Sequence, residues 1–213
     1  MSSITIAASE ASVGKRNPDS STSSVLNQNR HRASSQAQVR QRIKLPEGLM
    51  RAEFLRRRPE CIPEGRLNSV QKSGLKYQLQ FTRAVDRKVL SCSSGLLDLA
   101  RIHPNQWIRY HDSRGIGHAE MDLLVTGVGF NLIFELKRTF ALYGLVQLGQ
   151  LYGPLVEHLF PKVPTYKLLV CKNLTAQCNH RFLVQSLDDW LDSVENSLVS
   201  AREMPILTLQ WRP

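Results

Sequence analysis

No apolar run in the 213 residues approaches the roughly 20 that a bilayer span needs, which excludes a transmembrane helix from the sequence reading. The N-terminus has no charged start followed by an apolar stretch, which argues against a secretory leader. Cysteine is scarce: Cys61, Cys92, Cys171 and Cys178 form no C-x-x-C pair, and with His180 they lack the paired ligand spacing of structural zinc. The expectation is an intracellular protein with reduced thiols and no membrane partner. No G-x-S-x-G, phosphate-binding loop or dinucleotide fingerprint occurs, and Gly127-x-Gly129 opens a strand rather than a helix, so it reads as turn glycine. Aromatics reach only 7%, but hydrophobic residues make up 42%, enough for an ordinary core.

Acidic residues are also in the minority, 18 against 28 Lys and Arg, for a net charge of +10. The excess is uneven. Residues 1–58 hold eleven Lys and Arg against four Asp and Glu, whereas residues 59–213 hold seventeen against fourteen. A basic excess favours a polyanionic partner, because Lys and Arg release counterions condensed on phosphates; solubility or targeting is the alternative use of such charge. Residues 1–45 are rich in Ser, Gln, Asn and Arg and cannot bury enough surface to offset ordering entropy, so a disordered basic arm is expected. Its Ser- and Arg-rich start is also similar to an organelle transit peptide, against which stand Glu10 and Asp19. Arg51 to Arg58 reads as a short basic helix ending before Pro59, either a phosphate-contacting arm or a solvated linker.

The sequence divides into a flexible basic arm and linker, 1–68, and a globular domain, 69–213. Leu75, Leu79, Val85, Val89 and Leu90 recur at roughly helical spacing over Gly74 to Leu90, and a shorter helix is expected from Gly95 to Ile102. Strands follow at 106–110, 120–125 and 132–137, the last two forming a hairpin about Gly127-Val128-Gly129. A helix from Phe140 to Phe160 should bend or restart at Pro154. A strand at 166–171, a helix capped by Ser186 and running to Ser200, and a strand at 206–211 complete the order. This alternation predicts an α/β fold with a mixed central sheet flanked by helices.

The chemistry concentrates between Gly115 and Thr139. Strand residues two apart share a face, so Glu135 projects with Lys137, and Glu120 with Asp122. Asp122 and Glu135 are equidistant from the hairpin midpoint between Val128 and Gly129; in a symmetric register they stand opposite each other, and a bulge would shift them by one position. Two facing carboxylates call for a positive charge between them, and a hard divalent cation such as Mg²⁺ or Mn²⁺ suits carboxylate oxygens. The Lys137 ammonium adds a compact charge able to orient water or steady a pentavalent phosphate. Leu132, Ile133, Phe134 and Leu136 make this strand too apolar for an ordinary solvated ion pair. Glu120 either binds a second metal or points outward; His111 and His118 are flanking candidates for phosphate contact.

The strings Ala119-Glu120-Met121-Asp122-Leu123-Leu124 and Leu132-Ile133-Phe134-Glu135-Leu136-Lys137 resemble the core of the PD-(D/E)XK nuclease superfamily, in particular members with an E-x-D strand ahead of the E-x-K strand, such as archaeal Holliday-junction resolvases. The resemblance runs from the helix near Gly74 through Tyr152. It implies a restriction-endonuclease-like fold and Mg²⁺- or Mn²⁺-dependent hydrolysis of DNA, with Asp122 and Glu135 on the metal and Lys137 assisting the nucleophile or transition state. Branch-cutting members are commonly dimers, so a homodimer is a further expectation, as is a nuclear or nucleoid location. Two departures stand out. The first-helix glutamate of many members is replaced by Gln78, Gln80 or Asp86, and the Q-x-x-x-Y of helicase-nuclease members becomes Gln147 and Tyr152 with one residue too many between them. Tyr143, Gln147 and Gln150 share a helical face, which makes Gln147 a candidate catalytic side chain and Tyr152 a core residue. Arg109, Arg114 and Arg138 are the candidate backbone grips. A nuclease-like domain that only binds nucleic acid or a partner, and an RNA-directed nuclease, are the alternatives.

Overall fold

The computed structural model describes residues 46–63, 65–91, 97, 99–175, 184–186, 189–190 and 206–213, which fall in the compact unit Ile43–Pro213. The expected disordered arm, the start of the helix expected over Gly95 to Ile102, and nearly all of the helix expected from Ser186 to Ser200 lie outside the described residues. Strands β1 (Arg51–Leu55), β2 (Arg101–Asp112), β3 (Gly115–Gly127) and β4 (Phe130–Thr139) form an antiparallel meander. Helix α1 (Ser69–Ser91) lies between β1 and β2 in sequence. After β4 the chain crosses through α2 (Leu142–Gln147), a π-turn (Leu148–Tyr152) and α3 (Gly153–Leu159) to reach β5 (Thr165–Asn173), parallel to β4. Strands β6 (Val184–Ser186) and β7 (Leu207–Gln210) complete a seven-stranded mixed sheet of order β1-β2-β3-β4-β5-β7-β6. The protein is therefore of the α/β class.

The apolar run of β4 explains its central place. Leu132, Phe134 and Leu136 turn to one face and meet Tyr77, Phe81 and Val85 of α1; Ile133 turns to the other and meets Leu148, Leu151 and Leu155 of the crossover. Both faces of the strand are covered, so no alternation of polar residues is required along it. Phe81 packs 5.4 Å from both Phe134 and Trp211, tying α1 to the sheet and to the last described strand.

Three local expectations are corrected. Arg51–Leu55 is a strand, not a helix: it pairs residue for residue with His111 to Trp107, and this ladder overrides the helical propensity of the segment. The sheet thus begins upstream of Ser69. Helix α1 buries Tyr77, Phe81 and Val85, spaced by four, whereas Leu75 and Leu79 are each 49% exposed; the buried stripe follows the aromatic side chains rather than the leucines. Arg101 and Ile102, placed in a helix by the sequence, open β2 instead. The start of α1 is as sharp as its sequence permits, with Asn68 and Gln71 exchanging side-chain-to-backbone hydrogen bonds of 2.9 Å each as a capping box.

Candidate functional site

The β3–β4 hairpin has a symmetric register, running from Gly127–Phe130 to Leu123–Phe134 with no bulge. Extended by one pair it would set Asp122 against Glu135, but the ladder stops short. The amide of Leu136 instead donates to Asp122 Oδ2 at 2.8 Å, so the carboxylate itself fills the place of a strand carbonyl. The departure begins at Asn105, the residue across β2 from Asp122, which has a φ of +50°. Gln78 of α1 spans this break, donating to Asn105 Oδ1 at 2.8 Å and to the Asp122 carbonyl at 3.1 Å. Alternation along β3 slips at the same point: Ala119 and Met121 pack with Leu124 beneath the crossover, while Leu123 and Val125 pack beneath α1.

Glu135 and Lys137 project beneath α2. A Cβ built on Gly144 would lie 3.5 Å from Glu135 Cγ, 3.6 Å from Lys137 Cε and only 2.7 Å from Leu169 Cδ1, so α2 sits close over the pair because residue 144 has no side chain. Glu135 is 2% exposed and Lys137 27%, and the ammonium forms an ion pair with Glu135 Oε1. Lys137 Nζ also lies 5.6 Å from the centre of the Tyr143 ring, within cation–π range. Glu135 Oε2 is buried without a hydrogen-bond partner.

The charges are unbalanced. Burial, and then the neighbouring Asp122 charge, push the Glu135 carboxyl up to about 8 despite Lys137. Burial raises Asp122 too, opposed by the Leu136 amide and Lys137. Burial alone would lower Lys137, but the Glu135 charge and hydrogen bond, with Asp122, hold it above its usual range. Two carboxyls therefore share one ammonium, and each resists ionisation for want of a second positive charge.

That shortfall, with the unpartnered Glu135 Oε2, fits a divalent cation. Among the described residues no group of three or more His, Cys, Asp and Glu forms a metal cage. Mg²⁺ does not need one, since it binds through one or two carboxylates and keeps several waters. Asp122 and Glu135 are the two donors offered.

The π-turn accounts for the irregular Gln147–Tyr152 spacing. An i-to-i+5 helical turn brings residues five apart into line, and Gln147 Nε2 donates to the Tyr152 hydroxyl at 2.8 Å. Gln147 Oε1 is buried without a hydrogen-bond partner. Tyr152 is buried in the core beneath the crossover, and its hydroxyl is held well above its usual range by burial, then by the charges of Glu135 and Asp122. Gln147 is thus joined to Tyr152, whose hydroxyl feels the charges of Glu135 and Asp122 from the core.

Glu120 stands at the exposed edge, its carboxyl raised by burial and by Asp122 and lowered by Arg58 and Trp107. Of the residues offered to replace a first-helix acid, Gln78 contacts the site and Asp86 is exposed. Arg109 pairs with Glu53 and, with His118, lines a cleft against Arg56–Arg57–Arg58. His111 is set across from Arg51 in the β1–β2 ladder. Arg114 lies at the far turn of β2–β3, about 27 Å along the strand from Asp122 at ~3.4 Å per residue, and is held by Asp112. Arg138 is exposed near the end of β4. Trp107 and Arg58, which border Glu120, were not legible as site residues, because only the sheet pairing of Trp107 with Glu120 joins them to it. Among the described residues no helix is long and apolar enough to cross a membrane. Comparison with family models, with curated proteins and with solved structures finds no match.

Proposed function

We propose that this protein is a Mg²⁺-dependent nuclease that hydrolyses DNA phosphodiester bonds at Asp122, Glu135 and Lys137, on a restriction-endonuclease-like core of the PD-(D/E)XK kind. The observation that carries the reading is the buried Glu135 carboxylate beside Asp122, with one oxygen on Lys137 and the other unpartnered. A divalent ion bound by Asp122 and Glu135 supplies a lowered water pKa and neutralises developing oxyanion charge.

The chain's own groups do the rest. The Leu136 amide fixes Asp122 in one orientation, and Gln78 anchors the backbone behind it. Lys137, lodged between Glu135 and the Tyr143 ring, keeps protons to offer to a non-bridging phosphate oxygen or to the attacking water. The Gln147 carboxamide, oriented by Tyr152, has a free oxygen able to accept a hydrogen bond from that water. The crossover helix covers one side and excludes bulk solvent, which strengthens each of these interactions.

The purified full-length chain with plasmid and single-stranded DNA, in the presence and absence of Mg²⁺, tests the reading. Cleavage that needs Mg²⁺ and disappears in both Asp122→Ala and Lys137→Ala supports it. A second reading, a nuclease-like module that binds without cutting, is favoured by Gln78, a neutral carboxamide that reaches the Asp122 carbonyl from α1 where many members of the resembled superfamily carry a glutamate. Binding with no cleavage under any metal would establish that reading instead, and parallel RNA substrates separate DNA from RNA cleavage.

A further inference from the structure

We propose that strand β1 is a self-complementary dimerisation edge, pairing antiparallel with β1 of a second copy about a two-fold axis at Ala52. β1 ends the sheet order, and among the described residues no strand lies along its outer side. The outer side of an edge strand carries unpaired N–H and C=O groups that template a further strand. Proline, lysine and very short length are common protections. Arg51-Ala52-Glu53-Phe54-Leu55 has none of them, whereas the opposite edge, β6, is three residues long. Charge is the remaining protection, and here it acts in reverse. Like charges along an edge repel a second copy, but Arg51 and Glu53 are opposite in sign and stand two residues apart on one face.

Residues directly opposite in an antiparallel pair share a face, so the two-fold axis passes through a residue rather than between two. An axis at Arg51 or at Glu53 sets a charge against its own copy. An axis at Ala52 sets Arg51 against Glu53 of the second copy, twice by symmetry, with the small Ala52 side chain against itself. The charges are free to meet. The Arg51 side chain is 73% exposed and meets its own Glu53 at Oε2, 3.6 Å away, while Arg109 holds Oε1. The register ends on Met50 and Phe54, which are 66% and 38% exposed, so apolar surface is withdrawn as well. This symmetry selects a second copy. A strand of another protein gives no reason for complementary charges to be equidistant from Ala52. Ala52 packs with the crossover cluster and Phe54 lies 5.8 Å from Phe160, so both copies keep their crossovers on the same face of one continuous sheet. β1 carries none of Asp122, Glu135 and Lys137, and the pairing stands independently of the nuclease reading.

A strand of five residues makes a small joint, so a weak dimer is expected, populated at about 100 µM and dissociating on dilution. Sedimentation equilibrium of the full chain reads it. Arg51→Glu should raise the dissociation constant by about tenfold or more, since each altered contact occurs twice. Glu53→Arg should do the same. An equimolar mixture of the two variants should dimerise again, because each then meets opposite charge, and Arg51→Glu/Glu53→Arg should pair like wild type. Lys72→Glu makes an equal charge change at an exposed α1 position and should shift the constant by less than about threefold. Ala52→Cys should form a disulfide between the two copies of position 52 on oxidation, read by peptide mass mapping, since cross-strand Cα separations of about 4.5–5.5 Å suit that bond. Arg51→Glu and Ala52→Cys leave the Glu53–Arg109 ion pair intact, so they decide the matter even if Glu53→Arg does not fold. A chain still monomeric at about 100 µM, a dimer indifferent to Arg51→Glu, or the absence of the position-52 disulfide would each overturn the pairing.

Discussion

Gln147 and Tyr152 are five residues apart in the chain and joined by a 2.8 Å hydrogen bond across a π-turn. In a plain α-helix the residues facing Gln147 would be three or four positions on, at Gln150 or Leu151. The π-turn is what admits Tyr152, and it sets this polar pair in the crossover that covers Glu135 and Lys137.

Tyr152→Phe should therefore cost about 1–3 kcal/mol, because it removes the partner of a carboxamide whose oxygen is already unpaired. Chemical denaturation measures it. A variant as stable as the wild type would mean that water, rather than the hydroxyl, satisfies Gln147.

Gly144→Ala inverts the usual helix rule. Alanine normally stabilises a helix interior by up to about 1 kcal/mol over glycine. Here the new methyl meets Leu169 Cδ1 at 2.7 Å in a packed core, and overpacking costs about 1–3 kcal/mol. The variant should melt lower than wild type and lose activity, since α2 is pushed off Glu135 and Lys137. A raised melting temperature would show that Leu169 moves aside freely.

Lys137→Met should lower kcat by about 10²–10³, the scale for removing one charged contact made in the transition state. Lys137→Arg should not restore it, because a planar guanidinium does not fit between Glu135 and the Tyr143 ring as a compact ammonium does. Full activity in the arginine variant would make Lys137 a generic cation.

The raised Glu135 carboxyl sets a pH dependence. In the metal-free protein its folded value of about 8 lies above the ordinary 4.5, so its contribution to stability is fully present below 4.5 and is lost as the pH rises through about 8. Denaturation of metal-free wild type should thus show a more negative slope of stability with pH over that window than Glu135→Gln does. Mg²⁺ affinity should run the other way, rising by up to about tenfold per pH unit and levelling above about pH 8, because the ligand must lose its proton to bind. A pH-independent affinity would remove Glu135 from the metal site.

Much of this site was legible because it lies in one hairpin. The apolar run around Glu135 and Lys137 announced a buried strand, and the equal spacing of Asp122 and Glu135 about Val128–Gly129 gave the register that the sheet adopts. What was hidden depends on distant chain. Arg51–Leu55 has the composition of a helix and becomes a strand only because β2 offers it a ladder. Gln78, Gln80 and Asp86 were indistinguishable until α1 docked and brought Gln78 to the Asp122 carbonyl. The Asn105 kink and the π-turn are single-residue departures from regular geometry, and neither residue type demands them.

Mn²⁺ binding, followed by electron paramagnetic resonance with Mn²⁺ standing in for Mg²⁺, tests the paired-carboxylate site most directly. The account predicts a bound ion in the wild-type chain that is lost in both Asp122→Asn and Glu135→Gln. Mn²⁺ binding that survives both substitutions, or none in the wild type at pH 8, would contradict it.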